Sequence, residues 1–174
     1  MIELDILLSS VLERAIEALK KARADVYTFS FCHERVGAVA VYADDVANSR
    51  RVVRELNRAS MKNFTKAVKK RDLDEALMWQ AMVGRSLSPS DFAWKKLARR
   101  SLGKLKQAPS LHEAMLIAAM RYAPKVSALT SDPESLLFTC STADDEVGLI
   151  WSAEGQSAER KSVRAPKVAG RRTS

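Results

Sequence analysis

Cys32 and His33 stand side by side in the chain, the residue types of a thiolate nucleophile and its base. Neighbours on a strand point to opposite faces, so this spacing separates thiol from imidazole and favours two small packed side chains. Cys140, the only other cysteine, lies in a second apolar run, and two thiols meeting across strands would supply half of a zinc site. Acidic clusters at Asp44-Asp45 and Asp144-Asp145-Glu146 each precede a helix-like stretch, where negative charge stabilises the first turn. Metal or acid/base chemistry would need both clusters in one pocket, with no histidine in either. His112, two positions after Ser110, reads as a first-turn or surface residue. No GxGxxG, P-loop, HExxH or GxSxG occurs, and six glycines leave little material for a phosphate-cradling loop. No catalytic, metal-binding or cofactor-binding set is expected.

Charge patterning is more informative. Between Arg50 and Arg71 nine basic residues face one acid, Glu55. Six of them, Arg50, Arg54, Arg58, Lys62, Lys66 and Lys70, follow one another at i, i+4 steps. Like charges at that helical spacing repel by about 0.2–0.5 kcal/mol per pair. A second basic run, Lys95, Lys96, Arg99, Arg100, Lys104 and Lys106, has no acid beside it. A solvated face tolerates such repulsion; the alternative is an acidic partner, either a protein surface or a phosphate backbone. No aromatic residues alternate with these charges as a base-stacking surface requires.

The 174 residues fit one domain, and 47% hydrophobic with 29% charged residues is the balance of a globular chain. Two cysteines are too few for a disulfide scaffold and suit a reducing cytoplasm. Glu3 and Asp5 interrupt the first apolar run, which argues against a signal peptide. No run approaches the ~20 apolar residues that span a bilayer. The net charge is +8, of which residues 155–174 carry +5. That segment has no periodicity and reads as a basic, disordered tail on a domain of residues 1–154.

Several elements must position these residues. Leu8, Val11, Leu12, Ala15, Ile16 and Leu19 recur at helical spacing opposite Glu13, Arg14, Glu17 and Lys20. VYTFSFC (26–32) and VGAVAVYA (36–43) form an antiparallel hairpin about a polar loop of His33, Glu34 and Arg35, covered on both faces. Asp44 and Asp45 cap a basic helix with Val46, Val53, Leu56, Phe64 and Val68 on one stripe, running to Lys70 or breaking near Ser60. Asp72 or Asp74 opens a further helix to Gly84. Ser88, Pro89 and Asp91 predict a helix to about Lys106 that buries Phe92, Leu97, Leu102 and Leu105. Ser110 and Glu113 make a capping box for a helix closed by Pro124. SLLFTCST (135–142) is a third strand, and 143–154 favours a short helix, although Gly148 and the branched residues keep a strand open. The order α-β-β-α-α-α-α-β-α gives an α+β fold: a small antiparallel sheet, the hairpin plus a late third strand, packed against several helices.

The same pieces in the same order resemble a bacterial family, domain of unknown function 4303. They are an N-terminal helix, VYTFSFC, VGAVAVYADDVANS with Asn48-Ser49 opening the basic helix, SPSDFAW, and LLFTCSTADDEVGLIWSA. The likeness spans about residues 3–154; Phe92 stands where the family's motif has Trp, and Trp94 follows two positions on. Many members lie near polymorphic-toxin genes, and the resemblance implies a cytoplasmic immunity protein, without catalytic residues, that occludes a cognate toxin.

The sequence thus leads to a non-enzymatic, cofactor-free binder of a toxin with an acidic surface. Its contact residues would be Arg50, Arg54, Arg58, Lys62, Lys66, Lys70, Lys95, Lys96, Arg99 and Arg100. The alternative is a nucleic-acid-associated protein using the basic stretches 50–71 and 95–106 plus the tail. No membrane partner is expected.

Overall fold

The apolar stripe of the N-terminal sequence becomes the inner face of α1 (Ile2–Ala22), with Leu8, Val11, Leu12, Ala15, Ile16 and Leu19 all buried. The computed structural model describes residues 2–108, 110–141 and 148–152. The basic tail and the second acidic cluster, Asp144-Asp145-Glu146, lie outside the described residues. β1 (Thr28–Glu34) and β2 (Ala38–Asp44) form the expected hairpin, and their near-continuous burial reflects cover on both faces. His33 and Glu34 belong to β1 rather than to the loop, because the turn closes over residues 35–37 with Gly37 at φ 71°. That left-handed backbone suits glycine, which has no Cβ to clash.

The basic helix α2 (Val46–Lys70) runs unbroken past Ser60, and α3 is a short piece, Leu73–Met78. An extended return segment follows, then a single 3-10 turn at Pro89–Asp91. Here the expectation of a helix from Ser88 to Lys106 fails. Residues Trp94–Ser101 are an edge strand, β3, and a further 3-10 turn covers Gly103–Gln107. The helical spacing of Trp94, Leu97 and Ala98 has another source. Ala43 pairs with Trp94 and Val41 with Ala98, so β3 bulges, with Lys96 at φ 51°. The bulge turns Trp94, Leu97 and Ala98 toward one core despite their uneven spacing.

α4 (Leu111–Ser127) starts at Ser110, whose backbone angles of −99° and 15° are not the extended ones of a capping serine. Its side chain makes no capping bond, so the capping box does not form. Pro124 lies within the helix, on its exposed side, and does not close it. β4 (Leu137–Ser141) pairs parallel to β1, and β5 (Leu149–Ser152) pairs antiparallel to β4. The fold is α+β, with a five-stranded mixed sheet in the order β3-β2-β1-β4-β5. The sequence reading of three antiparallel strands was therefore incomplete. β3 stands where a helix is expected, β5 takes the strand alternative left open at Gly148, and β4 pairs parallel rather than antiparallel.

Residues 149–152, assigned above to a short helix, form β5 because Trp151 stacks on Phe138, with centroids 5.5 Å apart and planes at 14°. Gly148 permits the approach: a Cβ there would overlap the carbonyl oxygen of Cys140. α1 and α4 cover one face of the sheet, closing a core around Phe29, Phe31, Val39, Val41, Phe138 and Met115. The opposite face is polar and buried. Thr28, Ser30, Thr139 and Ser141 line it, Thr139 donates to Ser30 at 2.7 Å, and Phe92 covers Cys32, Ala40 and Tyr42.

Candidate interaction surface

Asp44 and Asp45 root α2 in the sheet. Asp45 caps the helix by accepting the Asn48 N–H at 2.7 Å. Asp44 is fully buried; its Oδ1 accepts from Asn48 Nδ2 at 2.7 Å and from the Ala93 N–H at 3.0 Å. Asn48 Nδ2 also donates to the Asp91 carbonyl at 2.8 Å, tying α2 to the turn before β3. Burial raises the Asp44 carboxyl above the ordinary aspartate range, against the lowering effect of its hydrogen bonds. This acidic pair therefore organises a helix start. Among the described residues, no three His, Cys, Asp or Glu side chains gather as metal ligands.

From that root α2 extends 25 residues, about 37 Å at the usual helical rise, yet it buries only Ser49, Val52 and Ala67. The apolar stripe read from the sequence is only half covered: Val46, Val53 and Phe64 are half-buried, and Leu56 and Val68 are exposed. α3 packs against the helix, and the return segment after it comes back to α2 at Asn57. Asn57 fixes that segment by exchanging two bonds with the Met82 backbone, at 2.7 and 2.9 Å. Arg85 then clamps its end. It donates to the Tyr27 carbonyl at 2.6 Å and the Ser135 carbonyl at 2.7 Å, with its guanidinium 3.4 Å above the Tyr27 ring. Neither Asn57 nor Arg85 carries a sequence signal; each is a lone polar residue in an irregular context.

Arg50, Arg54, Arg58, Lys62 and Lys66 are exposed and make no ion pair or side-chain hydrogen bond among the described residues. Lys70 approaches Glu75 at 3.7 Å, and Arg51, outside the ladder, pairs with Glu55 at 2.8 Å. Four residues turn about 40° past a full circle, so five steps from Arg50 to Lys70 wind the ladder through about 200°. It is a spiral band, not one flat face.

The second basic run does not form a matching helix. Lys95, Lys96, Arg99 and Arg100 lie on the edge strand β3, and Lys104 and Lys106 in the following 3-10 turn. Two of them serve the fold. Glu34 accepts from Arg99 Nε at 2.6 Å and from the Tyr42 hydroxyl at 2.7 Å, with Lys96 Nζ at 3.8 Å. Burial raises the Glu34 carboxyl, but these partners outweigh it and hold the group below its usual range. Tyr42 moves the other way, because burial and the neighbouring carboxylate both oppose its ionisation. Lys95 and Arg100 remain exposed, and such charges on an edge strand discourage edge-to-edge pairing. The Asp44 and Asn48 bonds tie the start of α2 to the segment that leads into β3.

Cys32 and Cys140 lie in different packing clusters on opposite faces of the sheet. Burial raises both thiols, Cys140 to about 12, and Cys32 sits 3.0 Å from Ser30 Oγ. Register along β1 places His33 on the face opposite Cys32, as the spacing implied. His112 occupies the first turn of α4, half-buried, and its Nε2 has no partner among the described residues.

These features define an α+β domain that carries a long basic helix rooted at the end of β2. No helix among the described residues is long and apolar enough to cross a membrane. No known family model, curated protein or solved structure matches the chain.

Proposed function

We propose that this chain is a non-enzymatic cytoplasmic binding protein, an immunity protein that neutralises a toxin by docking the arm of α2 on an acidic surface. The supporting observation is the uncompensated charge of α2. Five ladder residues, Arg50 to Lys66, stand in solvent without a partner among the described residues, on a helix that buries only three side chains. Packing on the domain does not account for so long and so repulsive a helix, whereas an acidic partner would relieve the repulsion and speed encounter. The resemblance to domain of unknown function 4303 points the same way.

A phosphate-backbone partner would use the same charges but would leave the exposed Leu73, Leu77 and Met78 of α3 without a role. The test is co-expression with the product of the adjacent gene in a toxin locus. The proposal expects rescue of growth and a stable complex, both lost when Arg54, Arg58 and Lys62 are changed to Glu. A protein that binds duplex DNA with a steep salt slope, and no such gene product, overturns it.

A further inference from the structure

Of the fifteen large apolar side chains exposed in the described structure, eight fall between Leu56 and Val83, on the arm and its return. Met61 and Val68 on α2 are 60% and 52% exposed, and Leu73 and Leu77 on α3 are 71% and 54% exposed. Met61, Thr65 and Val68 are spaced i, i+4 and i+7, which confines them to a stripe about 60° wide. The Thr65 hydroxyl is spent on the Met61 carbonyl at 2.9 Å. Met61 and Thr65 line an open groove with Arg58, Lys62, Lys66 and Lys69. At the α2–α3 turn a second groove gathers Val68, Arg71 and Leu73. An apolar track thus runs along the arm with cations along one flank.

We infer that this track seats an amphipathic helix whose apolar seam is flanked by Glu or Asp. The inference rests on the acidic-protein reading above and specifies the shape of that partner. Charge complementarity selects the occupant. Arg58, Lys62 and Lys69 lie on one side of the stripe without ion pairs among the described residues, and an acidic flank laid beside them neutralises all three. The i, i+4, i+7 anchors match the seam of a helix laid in a groove. Unbranched Met61 and small Thr65 can adapt to the knobs of an incoming helix.

The probe is a synthetic peptide of about three heptads, with Leu at the seam positions and Glu flanks that keep it from pairing with itself. Binding to the full chain is measured alongside a Leu→Ser version, polyglutamate, a duplex DNA and vesicles of phosphatidylcholine and phosphatidylserine. The Leu/Glu peptide should bind and gain helicity, and the Leu→Ser version should bind at least about tenfold more weakly. The double substitution Met61→Gln and Val68→Thr should weaken binding by a similar factor while leaving the melting midpoint unchanged, since both sites are exposed.

Equal binding of the Leu→Ser peptide or polyglutamate would overturn this inference and leave the acidic-protein reading standing. Tighter binding of DNA or vesicles than of any peptide would overturn both. Failure of every probe overturns the helix seat alone if the co-encoded complex still forms.

Discussion

Replacing Asp44 tests the root of the arm, because its carboxyl joins β2, α2 and the start of β3. Asp44→Ala leaves the Ala93 N–H and one Asn48 amide hydrogen without their acceptor. A fully buried orphan donor costs about 1–3 kcal/mol; Ala93 is exposed and Asn48 half-buried, so the variant should lose about 1–3 kcal/mol in all in chemical denaturation. Asp44→Asn keeps the accepting oxygen and removes the titration. Because burial raises the folded-state pKa above that of the unfolded chain, the folded protein binds this proton more tightly. The contribution of Asp44 is therefore most favourable in acid. It falls as pH rises from the unfolded value of 3.8 through the raised folded value, and is level above that. The stability of wild type relative to Asp44→Asn, followed by urea denaturation from about pH 4 upward, should decline along that course. A relative stability that rises with pH would refute the reasoning, since it would mean a cation holds Asp44 ionised.

Phe92→Ala should cost about 3–5 kcal/mol by thermal or urea denaturation, since the ring is buried over Cys32, Ala40 and Tyr42. Gly148→Ala should lower the melting midpoint and loosen β5, because the added Cβ overlaps the Cys140 carbonyl; near-UV signal from Trp151 would report it. Cys32 and Cys140, buried with raised thiols, should resist a colorimetric thiol reagent at neutral pH until denaturant is added. Rapid labelling of the native protein would contradict that burial.

The legible parts of the sequence were those where local period and tertiary burial agree. α1 shows one 3.6-residue period with acids in its first turn and lysines in its last, and its inner face was readable residue by residue. The hairpin was readable because both strands are apolar and close in sequence. β3 was not. Its bulge at Lys96 gives inward residues a helix-like spacing, and Ser88-Pro89-Ser90-Asp91, a good helix start, spends itself on one 3-10 turn. The parallel union of β1 with β4 joins residues more than a hundred positions apart, which no local pattern encodes. At the candidate surface, the spacing of Arg50 to Lys70 was plain and its winding follows from the helical period, but the freedom of Arg50 to Lys66 from partners among the described residues follows from how little of α2 packs. The apolar side chains of the arm looked like core residues, because composition does not tell a covered leucine from an uncovered one.

The central claim is that the exposed cations of α2 form the docking surface. Association of the co-encoded partner with wild type and with Arg54→Glu/Arg58→Glu/Lys62→Glu, followed by stopped flow across a salt series, tests it most directly. The account predicts a slower, nearly salt-independent association for the variant. Folding stability should hold or rise slightly, because the new Glu residues lie beside Arg50 and Lys66. Equal rates and equal salt dependence for the two proteins would show that the ladder is only a solvated face.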